Sequence, residues 1–110
     1  MSKSRSHEAA KVESFRNDPE YAAEYLNAVL EDGDQEELME TLRYMAEAFG
    51  GVQGIAEEAA LNAKTLYRTL SRHGNPELRS LAAILKAMGM RLAVRPLQTS
   101  PGTEPLPGSP

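Results

Sequence analysis

The chain has 110 residues, the length of one domain, and a formal net charge of −4. It contains no cysteine, which excludes disulfides, thiolate catalysis and cysteine-ligated zinc, and its histidines, His7 and His73, lie too far apart in unlike contexts to suggest a metal site. No apolar run has transmembrane length and the N-terminus lacks the apolar segment of a signal peptide, so we expect a cytoplasmic protein with no membrane partner and no cofactor.

The first predicted helix follows an N-terminal arm. Residues 1–17 show no clean apolar period and are expected to form a flexible or conditionally ordered arm. Asp18 and Pro19 are typical of a helix N-cap and first position, and the helix should end at Gly33, where glycine can adopt the left-handed conformation. A second helix is predicted from Asp34. Its apolar stripe comprises Leu38, Leu42, Met45 and Phe49.

Residues 52–71 are predicted to form a helix-turn-helix. Residues 52–59 place apolar side chains at helical spacing, and Asn62 then has the residue type of a helix N-cap. The second helix, residues 62–71, has an apolar face and a separate cationic face. The apolar face comprises Ala63, Leu66 and Leu70, and the cationic face comprises Lys64, Arg68 and Arg72. Two short helices with this division of faces are the layout of a DNA-binding helix-turn-helix.

The C-terminal part is predicted to contain one more helix and one strand. Asn75 and Pro76 repeat the N-cap and proline start, and Gly89 should close this helix, whose stripe is Leu78, Leu81, Leu85 and Met88. Residues 90–95 alternate apolar and basic side chains, which predicts a strand that pairs with its copy in a homodimer. Residues 98–110 are proline-rich and expected to be disordered. The expected fold is therefore all-α, a five-helix domain over residues 18–97 with one short strand.

Charge is distributed unevenly along the chain. Residues 1–17 carry +2, residues 18–58 carry −11 and residues 59–97 carry +6. Because DNA responds to the local field at its docking face, the overall negative charge does not exclude a nucleic-acid partner. The alternative is that both regions are only solvated faces, but the change of sign coincides with the second helix of the helix-turn-helix.

The chain resembles the addiction-module antidote proteins, which are HigA-like antitoxins of the phage-repressor-like helix-turn-helix family, over residues 18–95. The specific motifs are AAEYLNAVLEDGD, the run TLYRTLS at residues 65–71, and GNP followed by LKAMGMRLAV. The resemblance implies a cognate RelE/HigB-like toxin that cleaves messenger RNA, and autorepression through double-stranded operator DNA. Two departures matter. Ala60 stands where glycine is usual, which questions the turn geometry, and Lys64 replaces an acidic or polar residue, which suggests a different operator sequence.

The resemblance also implies roles for individual side chains. Residues 62–71 would be the recognition helix, with Lys64 and Arg68 facing base edges. Phosphate contacts are expected from residues at the two ends of that helix. These are Asn62 and Thr65 at its N-terminus, and Arg72, His73 and Asn75 beyond its end. Tyr67 lies between the two faces and suits a half-buried core position as well as a DNA contact.

The acidic first helix is a second candidate site, for a protein partner. It carries an apolar stripe flanked by carboxylates, and an RNA-binding toxin must present a basic surface that these could cover. The candidate residues are Glu20, Tyr21, Glu24, Tyr25 and Glu31. The alternative is that this helix only packs on the domain core.

An enzyme is not expected, because the chain has no recognised nucleophile motif and no glycine-rich phosphate loop after a strand. The favoured hypothesis is a DNA-binding antitoxin that represses its own operon. A stand-alone phage-type repressor without a toxin partner is the alternative, and a protein-interaction adaptor is a third, weaker one. Operator binding separates the first two from the third, and an adjacent toxin gene separates the first from the second.

Overall fold

The computed structural model describes the backbone of residues 3–97 and the side chains of residues 7–97, so the expected disordered tail, residues 98–110, lies outside the described residues. The described part is all-helical, as predicted. Its helices are α1 (Lys3–Asn17), α2 (Pro19–Asp32), α3 (Gln35–Ala48), α4 (Gly51–Glu58), α5 (Ala63–Thr69) and α6 (Leu78–Ala87). Helix α3 packs against α1, α2 and α4, and α4 packs against α5 and α6. None of these six helices is long and apolar enough to cross a membrane.

The described chain has six helices where five were predicted, because residues 3–17 form a helix and not a flexible arm. The reason is an aromatic anchor in the last turn of α1. Phe15 is completely buried, and its ring centroid lies 5.7 Å from that of Tyr21 and 5.3 Å from that of Tyr25. Val12 packs against the same core. One enclosed aromatic ring leaves no periodic pattern in the sequence, yet it can hold a short helix in place.

Polar caps predicted at two helix starts are confirmed. The side chains of Asp18 and Asp34 each accept a hydrogen bond from the backbone N–H three residues further on, at 3.1 and 2.8 Å. The left-handed conformation expected of Gly33 is wrong, since its φ is −83° and its ψ is 168°. A Cβ at that position would lie 2.8 Å from Cγ1 of Val29. Glycine is therefore required there for space between α2 and α3.

The core is rich in methionine and leucine. In α3, Leu42 and Met45 of the predicted stripe are buried, whereas Leu38 and Phe49 are half-buried. The largest completely enclosed side chains are Phe15, Met39, Leu42, Met45, Ile55, Leu66, Leu70, Ile84 and Leu85. All of them except Leu70, the C-cap of α5, lie in five of the helices, so this one core holds the helix-turn-helix region against the N-terminal helices.

Helix α6 begins later than predicted. Its N-cap is Glu77 and its first residue is Leu78, so the start at Asn75 and Pro76 is wrong. The carbonyl of Gly74 accepts a hydrogen bond from Gln35 of α3. Residues 74–77 have no regular secondary structure and connect this point to the start of α6. As a result Leu78 is 71% exposed and lies outside the core. Gly89, with φ 83°, ends the helix as predicted.

Residues 90–97 form no strand in the single chain, and no strand occurs elsewhere between residues 3 and 97. The physical reason is that the helices of residues 3–87 offer this segment no backbone ladder to join. Met90 and Leu92 instead line a groove together with Leu26 and Leu30 of α2. The pairing of residues 90–95 across a dimer stays a prediction.

Candidate nucleic-acid interface

Helices α4 and α5 pack against each other and are joined by a tight turn. The N–H of Leu61 bonds to the carbonyl of Ala56 at 2.8 Å, and the N–H of Ala60 bonds to the carbonyl of Glu57 at 3.2 Å. These two bonds form a Schellman motif, which requires a left-handed residue. Ala60 adopts that conformation, with φ 60°. The turn that usually takes glycine therefore forms with alanine, at a strain of about 1 kcal/mol.

Asn62 is the N-cap of α5, as predicted. Its side-chain oxygen accepts hydrogen bonds from the backbone N–H groups of Lys64 and Thr65, at 2.8 and 3.3 Å. The helix itself is shorter than residues 62–71, since it ends at Thr69. Because the oxygen of Asn62 serves the helix, only its amide NH₂ group remains to donate to a ligand.

The outer face of α5 is cationic and exposed. Lys64, Thr65 and Arg68 are exposed, while Leu66 on the opposite face is completely buried. Tyr67 is 59% exposed, which decides against a core position for its ring. The structure therefore brings together, on one solvent-facing surface, two cations, a hydroxyl and a phenol.

Two side chains of α3 donate hydrogen bonds to backbone carbonyls of the loop after α5, and sequence reasoning missed both bonds. Nη1 of Arg43 donates to the carbonyl of Leu70 at 2.5 Å, and Nε2 of Gln35 donates to the carbonyl of Gly74 at 2.8 Å. A Cβ on Gly74 would lie 1.8 Å from the carbonyl oxygen of Thr69, so only glycine fits. Contacts between residues 27 and 39 positions apart leave no local pattern in the sequence.

The remaining predicted phosphate contacts lie on this same loop. His73 and Asn75 are exposed. Arg72 is also exposed, but its Nε lies 3.0 Å from Oε2 of Glu36 in the first turn of α3. Its guanidinium therefore already has an acidic partner in the folded chain.

The acidic helix α2 divides into a packed face and a free face. The rings of Tyr21 and Tyr25 meet Phe15 of α1 at interplanar angles of 56° and 67°, and Nζ of Lys11 lies 4.3 Å from the ring centroid of Tyr25. The predicted carboxylates, in contrast, are exposed: Glu20, Glu24 and Glu31. Tyr25 is half-buried in this packing, whereas Tyr21 is 39% exposed, so Tyr21 and the three carboxylates are the part of the candidate partner site that faces solvent.

Residues 7–96 match the family model described as "Probable addiction module antidote protein". The chain belongs to this family. The match covers all six helices except the start of α1, and it confirms the resemblance drawn from the sequence motifs. Membership gives the antidote protein an antitoxin role and, in general terms, a toxin partner. No curated protein and no solved structure matches the chain.

The described residues of the antidote protein contain no group of histidine, aspartate and glutamate side chains that could hold a metal ion. Burial and a hydrogen bond from its hydroxyl to Glu40, followed by the charges of Glu40 and Glu8, raise the pKa of Tyr44 to about 12. The phenol therefore stays protonated to a higher pH than an ordinary tyrosine does.

Proposed function

We propose that this antidote protein is a sequence-specific DNA-binding antitoxin that neutralises a RelE/HigB-like toxin and represses its own operon. The observation that carries the proposal is the solvent-exposed cationic face of α5, set on a short helix whose other face is buried against α4. A helix of this kind fits the major groove of B-DNA, where arginine can form two hydrogen bonds with guanine.

Electrostatics support DNA as the ligand of this face. Residues 59–97 carry a net charge of +6, while the strongly acidic residues 18–58 carry −11. Cations that contact phosphates release bound counterions, which favours binding and makes it sensitive to salt. In the proposal, Lys64 and Arg68 read bases, while Asn62, Thr65, Arg72, His73 and Asn75 contact phosphates.

Assembly as a homodimer is part of the proposal. Residues 90–95 alternate apolar and basic side chains, and Val94 is 96% exposed in the single chain. Two-fold pairing of this segment would supply the backbone partners that one copy lacks. A dimer would also present two α5 helices to successive major grooves, ~34 Å apart.

The acidic face of α2 is the proposed contact for the toxin. An enzyme that cleaves RNA needs a basic surface, and exposed carboxylates at Glu20, Glu24 and Glu31 offer the complementary charge. Membership of the antidote family favours this function over a stand-alone repressor.

Arginine substitutions test the DNA-binding part of the proposal. Arg68→Ala should cost about 1–3 kcal/mol at the cognate site and relax the preference at one base position, because a base contact is lost. Arg72→Ala should weaken binding to all sequences alike and reduce the salt dependence, because a phosphate contact carries no sequence information. Binding to a randomised library of operator DNA, measured at two salt concentrations, distinguishes the two effects.

The same binding measurements can also contradict the proposal. Identical base preferences in the wild type and the Arg68→Ala variant would refute base reading by Arg68. Lack of DNA binding by the wild type, even at low salt, would refute the function as a whole.

A further inference from the structure

Arg72 is held by an ion pair that joins the loop after α5 to the start of α3. Its Nε donates to Oε2 of Glu36 at 3.0 Å, and the two residues lie 36 positions apart in the chain. The side chains are 72% and 49% exposed, respectively, so the pair is in contact with water. The proposed phosphate contact of Arg72 therefore competes with an interaction that already exists.

The surroundings of Arg72 are acidic. The cavity beside it is lined by further carboxylates and one other cation: Asp34, Glu36, Glu37, Glu40 and Arg43. Nη1 of Arg43 donates to the carbonyl of Leu70. Arg72, in contrast, donates a hydrogen bond directly to Glu36. Carboxylates and phosphates both accept paired hydrogen bonds from a guanidinium, so either can occupy the same donor atoms of Arg72.

We propose that Glu36 is an intramolecular competitor for Arg72 and that it lowers the affinity of the protein for DNA. This inference rests on the proposed DNA-binding function and adds a residue that sets its strength. Glu36 takes the Nε donor of Arg72, so a phosphate that forms paired hydrogen bonds with Nε and an Nη group must displace the carboxylate. Exposed ion pairs are weak in water, so the pair can yield to DNA, and its loss should tighten binding by about two- to fivefold.

The direct test compares four proteins: the wild type, Glu36→Gln, Arg72→Ala and the double variant. The probe is a short DNA duplex of random sequence at low salt, since a phosphate contact needs no particular base. Glu36→Gln should bind this duplex about two- to fivefold more tightly than the wild type. In the Arg72→Ala background the same change should have no effect, because the guanidinium that Glu36 withholds is then absent.

Glu37→Gln is the matched control. It removes the same charge from the same turn of α3 and the same cavity, and no hydrogen bond joins its side chain to Arg72. It should change affinity much less than Glu36→Gln. Equal thermal melting of all variants would show that the folds are intact, as expected for exposed side chains.

Four results would overturn the inference. Equal tightening by Glu36→Gln in both backgrounds, or equal tightening by Glu37→Gln, would show that Glu36 acts only through its long-range field. Unchanged DNA affinity in Glu36→Gln would show that freeing Arg72 from Glu36 does not strengthen its contact with DNA. If neither the wild type nor any variant binds the duplex, the proposed DNA-binding function fails together with this inference. If the wild type binds the duplex and Glu36→Gln leaves the affinity unchanged, only this inference fails.

Discussion

At the scale of single residues, the turn between α4 and α5 carries local strain. Ala60 is the one non-glycine residue with positive φ in the described part of the chain. The two Schellman hydrogen bonds around it hold that conformation in place. Alanine at this position therefore allows the same turn geometry as glycine, but it lowers the free energy of unfolding.

Ala60→Gly should stabilise the protein by about 0.5–1 kcal/mol, because glycine adopts the left-handed conformation without a Cβ clash, partly offset by its greater freedom in the unfolded chain. Ala59→Gly is the control, since Ala59 has an ordinary helical conformation, with φ −85°. That change should destabilise by a similar amount. Urea denaturation of both variants measures the difference, and a loss of stability in Ala60→Gly would contradict the strain argument.

At the scale of secondary-structure elements, α1 is attached through side chains of its C-terminal half. Phe15 fills a site between α1, α2 and α3 and is completely enclosed. A further contact comes from Arg16, whose Nε donates to the carbonyl of Ala48 at the end of α3, at 3.4 Å. Among the described side chains of α1, Phe15 is the one that is completely buried, so it should contribute strongly to the attachment of this helix.

Phe15→Ala should destabilise the protein by about 3–5 kcal/mol, because it removes apolar contacts and leaves a cavity. Val12→Ala is the control on the same helix, where the side chain is only half-buried, and its cost should be much smaller. Denaturation followed by circular dichroism provides the measurement. If the two variants prove equally stable, α1 is not anchored through Phe15.

Local signals explain which elements could be predicted. The caps at Asp18, Asp34 and Asn62 use hydrogen bonds to backbone groups two or three residues away, so the sequence displays both partners together. The cationic face of α5 could be predicted in the same way, since residues four apart share a helix face. These features needed no knowledge of the tertiary structure.

Long-range contacts explain what could not be predicted. The burial of Phe15 depends on α2 and α3, and the late start of α6 accompanies the bond from Gln35 to Gly74. The Arg72–Glu36 pair belongs to the same class. Hydrophobic periodicity does not reveal such contacts. The helical structure of α1 and the hydrogen bonds between α3 and the loop after α5 were therefore both missed.

At the scale of the whole molecule, opposite charges are segregated along the chain. The acidic region, residues 18–58, includes α2, α3 and α4, and the basic region, residues 59–97, includes α5 and α6. Operator docking and toxin capture should therefore depend on different regions, and mutations should separate the two functions.

Reversing Glu20, Glu24 and Glu31 to lysine should slow association with a basic toxin and make the rate less sensitive to salt. These side chains are exposed, so folding should change little. Operator affinity should hold or rise slightly, because repulsion from phosphate is removed. Toxin association rate and operator affinity, measured on the same triple variant, test this separation.

A matched triple variant controls for total charge. Glu47, Glu57 and Glu58 are exposed acids on other helices, and reversing them gives the same change in net charge. Toxin association should slow less in this variant than in the α2 variant. If toxin capture is untouched by the α2 change while operator binding collapses, α2 belongs to the DNA-binding surface and not to the partner interface.

The methionine-rich core has a consequence for oxidation chemistry. The chain has no cysteine, so methionine thioethers are its only sulfur groups. Peroxide converts an accessible thioether to a polar sulfoxide. Met90 is half-buried and can react in the folded protein, whereas Met39 and Met45 are completely enclosed. The two enclosed sulfurs can be oxidised only while the helices are apart, so their rate of oxidation reports how often the core opens.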